Sequence, residues 1–361
     1  MLFRSRSKLA DRGIRFGLLS ITDPFGNVTG GKQRGASDYS LVGFGVVLDT
    51  DRLMGWHGGT IHVGYAVNFG TSLSKNYAGN GFPVQLADVA DAHPRLTYLS
   101  VTQDMLEGKV SIRVGRLTIN SVSHEEFLSS EYFKAFTSVG IDLVPLGLFL
   151  NAPGAFGYPD TTWGARLRFQ PARRFYTMVG AYNGDPALKV GTHHGLDFSM
   201  RGPIFLIGEA GFRRSYPMDP SSFSSNVKVG AYYNGSARYG LYVLGDQVLS
   251  RWGDPEQNRH LGVFGAFTAA PDQRVNKVPY FFDAGIVAYG FLPGRPKDFA
   301  GFAVVDGYSS QDFEMTLEWN YGVAVRPGLL VQPDVQYLVH PNGNKATPAA
   351  LAIGLNIVVN W

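Results

Sequence analysis

The sequence predicts an all-β fold: a 16-stranded antiparallel transmembrane β-barrel with a long inward-folded constriction loop that carries a short helix. Three observations predict it. The final stretch alternates without a break, with Leu351, Ile353, Leu355, Ile357, Val359 and Trp361 on one face and Ala352, Gly354, Asn356, Val358 and Asn360 on the other. Period two separates these sets across a strand, and a strand that is oily on one side, small and polar on the other, and aromatic at its end suits a wall between lipid and a wet lumen. The same pattern recurs upstream. From Phe313 to Val325 the odd positions are apolar or aromatic, while Glu314, Thr316, Glu318, Asn320, Gly322 and Ala324 fill the even ones; Val331, Val335, Tyr337 and Val339 oppose Gln332, Asp334 and Gln336. Lastly, the mean hydropathy is −0.04, and no apolar run reaches the roughly 18 residues of a membrane helix. A barrel averages its two faces to such a value, so any membrane crossing is made by strands.

Sixteen segments have strand length, near 13–23, 37–50, 58–70, 94–106, 109–118, 162–170, 174–183, 196–213, 223–234, 238–249, 259–270, 279–291, 298–306, 312–325, 328–339 and 350–361. An even count is what single-chain bacterial barrels require. The eighth segment is long, and a turn at Gly202-Pro203 would change the number. Connections alternate: Glu107-Gly108, Pro171-Ala172-Arg173 and Arg326-Pro327-Gly328 are tight, whereas 71–93, 119–161 and 340–349 are extended. Short turns at one end and long loops at the other fit a barrel with a trimmed periplasmic rim. The longest excursion, 119–161, carries a helix signal at Ser123 with Glu126 three residues on, a capping box. Phe127, Leu128, Tyr132, Phe133, Phe136, Leu146, Phe149 and Leu150 need burial, so this loop is expected to fold into the lumen and narrow it.

Composition bounds the rest. Nothing divides the 361 residues, so 1–361 reads as one domain; 45 glycines and 13% aromatics suit many strands and turns. There is no cysteine, which removes disulfides and thiolate metal sites, and a net charge of +3 on scattered Lys and Arg gives no case for nucleic acid. Met1-Leu2-Phe3-Arg4-Ser5-Arg6 lacks the apolar core of a signal peptide, so a mature or trimmed chain is expected.

Strand parity selects the inward charges. If Trp163, Ala165, Leu167 and Phe169 face lipid, Arg166 and Arg168 face the lumen; Arg113 opposes Ile112 and Val114, and Glu209 and Arg213 oppose Leu206 and Ala210. A charge at the lipid midplane costs roughly 2–4 kcal/mol, which favours the same assignment. His62, Asn68, Lys228, Asp246, Glu314, Glu318, Asp334 and Gln336 join the inner surface. Charged residues line every water-filled barrel, so part of this set serves only to solvate the lumen or pair across it. The Glu125-Glu126 pair reads as helix capping rather than acid/base chemistry. His193-His194 near Asp197 would need a loop to converge on a metal, His340 has no serine partner, and the Gly-Asn-Lys at 343–345 lacks the spacing of a phosphate loop. No enzyme, cofactor or metal is expected.

A series of motifs resembles the carbohydrate-selective outer-membrane porins of the OprB type. It runs from Leu9-Ala10-Asp11-Arg12-Gly13-Ile14 through Gly30-Gly31-Lys32-Gln33-Arg34-Gly35, Arg113-Val114-Gly115-Arg116-Leu117, Ser130-Glu131-Tyr132 and Trp163-Gly164-Ala165-Arg166-Leu167-Arg168 with Gln170-Pro171. Tyr182-Asn183-Gly184-Asp185-Pro186, Leu292-Pro293-Gly294-Arg295, Gln332-Pro333-Asp334-Val335-Gln336-Tyr337 and His340-Pro341-Asn342-Gly343 complete it. The resemblance implies passive diffusion of sugars across the outer membrane of a Gram-negative bacterium. It adds Arg34, on a loop or rim, and Gln103 to Arg113, Arg166, Arg168, Glu209 and Arg213 as candidate residues of the pore constriction. One departure stands out: where the family carries an aromatic and an acid before that glutamine, this chain has Ser100-Val101-Thr102-Gln103. Guanidinium donors and carboxylate acceptors match the vicinal hydroxyls of a pyranose, and an aromatic ring covers its apolar face. Expected partners are the sugar, outer-membrane lipid and lipopolysaccharide, and the barrel-assembly machinery acting on the last strand at Trp361. The state of association stays open between a monomer and a homotrimer. The alternative reading is a barrel that exports or assembles a surface polysaccharide with periplasmic partners.

Overall fold

A computed structural model describes residues 2–120, 126–130, 132–143, 145–152, 154–185, 200–214, 225–235, 238–308 and 312–361. The strands are β1 (Ile14–Thr29), β2 (Gly35–Asp49), β3 (Gly59–Gly70), β4 (Pro94–Met105), β5 (Val110–Leu117), β6 (Thr162–Ala172), β7 (Phe175–Asn183) and β8 (Ile204–Arg214). They continue as β9 (Ser225–Asn234), β10 (Arg238–Arg251), β11 (His260–Ala269), β12 (Tyr280–Tyr289), β13 (Phe299–Tyr308), β14 (Phe313–Arg326), β15 (Leu329–Val339) and β16 (Ala350–Asn360). Each pairs antiparallel with its neighbours in sequence, and β1 pairs with β16 to close the cylinder, with Thr22 opposite Ile357 and Phe25 opposite Gly354. Closure removes the two free edges that an open sheet would present to lipid. Among the described residues no helix is long and apolar enough to cross a membrane.

Alternation decides what each face meets. On β14, Trp319 is 44% exposed between Glu318 at 0% and Asn320 at 8%. The outer wall carries exposed Phe44, Val63, Tyr65, Val114, Leu167, Val179, Val229 and Leu241, as a lipid-facing surface should. Both chain ends and the tight connections 106–109, 173–174 and 327–328 lie at one rim; 71–93 (loop A), 118–161 (loop B), 184–203 and 340–349 leave from the other.

Several boundaries differ from expectation. The first strand runs on to Thr29 because Pro24 does not end it: the β1 to β2 ladder continues unbroken with Pro24 opposite Asp38, and the lost proline N–H interrupts only the β1 to β16 ladder, at Asp23 and Pro24. The eighth strand begins at Ile204, which puts Gly202 and Pro203 before it and keeps the count at sixteen; 196–199 lie outside the described residues. A helix, α1 (Leu2–Asp11), precedes the barrel, and α2 (Thr50–Met54) caps the β2 to β3 connection with the Asp49 carboxylate accepting from the Arg52 N–H. Ser123 lies outside the described residues, and Glu126 is not helical; the helices of loop B are α3 (Val139–Asp142) and α4 (Leu146–Asn151).

Loop B enters the lumen and changes its character. Phe127, Leu128, Phe133, Phe136, Ile141, Leu146 and Leu148 are buried against inward Tyr176, Met178, Phe205, Ile207, Phe264, Phe281 and Val305. Phe133 and Phe136 stand 4.6 and 5.3 Å from the Phe264 ring. On the β7 to β13 side the interior is therefore a dry core, which corrects the expectation of a uniformly wet inner face: the loop brings enough apolar surface to displace water there. Gly262 makes room for it, since a Cβ at that position would sit 2.1 Å from the Tyr132 ring.

The alternation makes a direct prediction. Leu355, mid-strand and outward on β16, is expected to cost roughly 2–4 kcal/mol when replaced by arginine. Urea titration of the barrel folded into vesicles measures it; a cost near zero would contradict the outward assignment.

Candidate constriction

The inward loops must find partners for their main-chain polar groups, since the interior offers little water. Strand side chains supply them. Along loop B, the Leu128 N–H donates to Glu209 Oε2 at 2.9 Å, Lys228 Nζ donates to Ser129 Oγ at 2.6 Å, and Ser130 Oγ donates to Asp246 Oδ2 at 2.8 Å. Farther on, the Ala135 carbonyl accepts from Asn320 and Gln332 at 2.8 and 2.9 Å, and the Thr137 and Ser138 N–H groups donate to the two Glu318 oxygens at 2.7 and 2.9 Å. Loop A is held alike: Gly81 and Phe82 donate to Glu314, Ala87 donates to Asp23, and Asn68 donates to the Ala87 carbonyl. The loops join where the Val139 N–H donates to the Pro83 carbonyl at 2.8 Å.

Loop B leaves the wall beside β5 and β6 at an ionic cluster. Arg113 and Arg166 stand opposite each other in the β5 to β6 register, and both reach one oxygen of Glu126, at 2.7 and 3.2 Å. Arg113 also donates to Ser100 Oγ at 3.1 Å and contacts His62 Nδ1 at 2.7 Å; Arg166 donates to Ser111 Oγ at 3.1 Å. As a donor-only group, the guanidinium makes that His62 nitrogen the acceptor. The three charged groups are 5%, 1% and 2% exposed. Parity thus turns Arg113 and Arg166 inward, and Glu126 covers them. The Arg113 guanidinium lies 5.6 Å over the Tyr98 ring, and Tyr98 stacks on Tyr158 of loop B at 6.1 Å.

The remaining candidates divide. Glu209 is a buried acceptor for the Tyr176 and Tyr242 hydroxyls, at 2.8 and 3.1 Å, as well as for Leu128. Arg213 lies 4.4 Å over the Tyr176 ring, and Arg168, bonded to Gln170, lies 5.6 Å over the same ring. All three are inward; Glu209 and Arg213 are buried on the dry side of the lumen, and Arg168 is half-buried at its edge on β6. Gln103 does not join them: it shares parity with exposed Val101, and its amide is bonded to Trp56 Nε1 at 2.6 Å and to the His57 carbonyl at 3.0 Å, at the rim that carries the tight turns. Arg34 is exposed beyond the end of β1, at the opposite rim. Both fall outside the cluster, Gln103 because a strand has only two faces and Arg34 because it precedes β2.

Several residues escaped the sequence reading. The capping-box spacing assigns Glu126 to a helix start, and no sequence pattern singles out Tyr158 or Asp160. Arg95, inward on β4, pairs with Asp160 at the end of loop B and donates to the Asp91 carbonyl. Asp88 of loop A accepts from Ser72; burial pushes its carboxyl up to about 6, against the Ser72 bond and Lys75, which lower it. Tyr98 has a usable signal, its parity with inward Ser100 and Thr102; Arg95 shares parity with outward Val101 and turns inward only because a bulge shifts the β3 to β4 register between Gly64 and Tyr65, and a loop has no periodicity from which to read the others. Among the described residues no group of three or more His, Asp or Glu is placed to hold a metal ion, and His193, His194 and Asp197 lie outside them.

What stays open to water is one side of the lumen. Inward Arg15 is exposed, and Leu19, His62, Tyr98, Tyr158 and Val358 are half-buried. A closed cylinder with an oily wall, a polar strip inside and a loop folded through its lumen defines an outer-membrane porin. The model of the carbohydrate-selective porin family OprB matches residues 33–237 and 234–361, and the chain belongs to that family. Porin B of Pseudomonas aeruginosa is 24% identical over 98% of this chain and 88% of its own length. A putative porin, QuiX, of Acinetobacter baylyi is 20% identical over 99% of this chain and 91% of its own. The high-pH structure of Pseudomonas putida OprB, 22% identical, superposes with a TM-score of 0.90 over 100% of this chain and 97% of that one. This chain is therefore a carbohydrate-selective porin of a Gram-negative outer membrane, from a family of passive channels.

Breaking the ionic cluster exposes its cost. Glu126→Ala leaves two buried guanidinium groups without their carboxylate, a change worth roughly 3–5 kcal/mol against the seated loop. Larger and noisier single-channel conductance is expected; conductance equal to that of the unaltered protein would show that Glu126 does not hold loop B.

Proposed function

We propose that a neutral sugar of glucose-like size, or a short oligosaccharide, passes along the open side of the lumen, over Tyr98 and Tyr158, with His62 and the edge of Arg113 meeting its hydroxyls. The reading rests on one observation: the stacked Tyr98 and Tyr158 rings lie beside Arg113 on the inner surface that loop B leaves accessible to water. An aromatic face suits the apolar face of a pyranose, and guanidinium and imidazole suit its hydroxyls. In this reading Arg166 and Glu126 fix Arg113 rather than touch the sugar, and Glu209, Arg213 and Arg168 act through the seating of loop B. Each hydrogen bond nets about 0.5–1.5 kcal/mol, so three or four give affinity on the order of millimolar. Weak binding serves a pore, which must release what it admits.

The same reading takes in lipopolysaccharide and lipid as surroundings, barrel-assembly machinery acting on the last strand, and association of three copies through the apolar wall. Trp361 supports the second of these: it exchanges both main-chain bonds with Leu18 of β1, at 2.9 Å each, so the last residue completes the seam.

Reconstitution in planar bilayers tests the path. Stepwise conductance that glucose or a glucose oligosaccharide reduces is expected, with the block weakened roughly fivefold in Tyr98→Ala, since an aromatic contact is worth about 1 kcal/mol. Conductance indifferent to every sugar would contradict a sugar path, and unchanged block in Tyr98→Ala would place that path elsewhere in the lumen.

A further inference from the structure

The outer wall over β7, β8 and β9 has a feature that sugar passage does not use. The outward positions of β8 read Ile204, Leu206, Gly208, Ala210, Phe212 and Arg214. Two small residues in succession leave a trough between taller neighbours: Val179 and Ala231 flank Gly208, and Thr177 and Val229 flank Ala210. Toward the rim that carries the tight turns, the next row is Phe175, Phe212 and Val227, with the two rings 5.0 Å apart. Phe175, Thr177, Ala210, Phe212, Val227 and Val229, with Pro171, line an almost wholly apolar groove of 310 Å³ on the membrane side of the wall. Apolar surface alone says nothing here, because the whole band faces acyl chains.

Charge gives the groove an occupant. Arg214 is the outward residue directly beyond Phe212, and Arg173 and Arg174 form the turn before Phe175; the Arg213 N–H donates to the Arg174 carbonyl at 2.7 Å, which makes the three arginines neighbours on the rim. All three are exposed, and none has a carboxylate partner among the described residues. Four other arginines at this rim are tied down, Arg52 to Asp49, Arg295 to Asp298, Arg251 to Asn258 and Arg259 to the Gly290 carbonyl, while Arg326, exposed at the end of β14, stands apart from the group over the trough. Three exposed cations above an apolar trough, at the depth where the inner leaflet passes from headgroup to chain, match a phosphate with an acyl chain below it. Arginine suits phosphate because its planar fork can donate to two oxygens at once.

We propose that this wall binds an anionic glycerophospholipid of the periplasmic leaflet, with its headgroup phosphate on Arg173, Arg174 and Arg214 and one acyl chain along Gly208 and Ala210. Each cation near an anionic lipid surface contributes appreciably, so selection over a zwitterionic lipid of equal chain length follows from headgroup charge. Ala210→Leu, which fills the trough and leaves the arginines in place, weakens retention of both lipid types.

Native mass spectrometry of the full chain in detergent, titrated with phosphatidylglycerol or phosphatidylcholine of the same acyl chains, tests this. One phosphatidylglycerol is expected to be retained at least tenfold better than phosphatidylcholine. That preference should vanish in the triple variant Arg173→Gln, Arg174→Gln, Arg214→Gln, and retention should fall in Ala210→Leu, with heat-modifiable gel mobility confirming that both variants fold. Equal retention of the two lipids by the unaltered chain would overturn the proposal, as would a preference that survives the triple variant.

Discussion

Main-chain amides buried inside the barrel constrain everything else. A loop that enters a lumen leaves its own ladder behind, and every N–H it carries in is a donor without water. Here the strands answer with carboxylates: Asp23, Glu209, Glu314 and Glu318 each accept a loop N–H, and between them they seat Ala87, Leu128, Gly81, Phe82, Thr137 and Ser138. A carboxylate accepting from main-chain N–H is a charge-assisted contact, stronger than its neutral counterpart. The inward charges of this barrel thus have two tasks, and fixing the loops comes before meeting the solute.

Once loop B is fixed, its apolar side chains decide the shape of the channel. Phe133 and Phe136 close on Phe264, Tyr132 settles into the dimple at Gly262, and water is excluded from the β7 to β13 side. The open strip lies opposite, where Tyr98, Tyr158 and His62 remain partly accessible. The Arg113, Arg166 and Glu126 cluster stands at the boundary between these regions. Its net worth to folding is modest, as for buried ion pairs generally, but removing one member is expensive. Such a cluster sets the position of loop B more than it adds stability.

The barrel was legible because a strand has only two faces. Period two in β14, β15 and β16 gave both membrane crossing and the identity of the inward residues, and Arg113 and Arg166 followed from the same parity. Gln103 shows what happens when that rule is set aside: it came from a family motif, whereas its parity with Val101 already placed it outside. The run of β1 from Asp23 to Thr29 was hidden for a different reason, since the sequence around Pro24 does not tell which neighbouring ladder carries the strand past a residue without an N–H. Loop residues could not be read at all. Glu126 had two chemically sound roles, a helix cap or an ion pair, and only the distance to Arg113 and Arg166 chooses between them.

Amide hydrogen exchange in the folded barrel, resolved to single residues, tests the seating of the loops most directly. Leu128, Thr137, Ser138, Gly81 and Phe82 are predicted to exchange as slowly as mid-strand amides of β14, because each donates to a buried carboxylate. Exchange of these amides at the rate of exposed loop positions would contradict the account and leave the lumen without a fixed constriction.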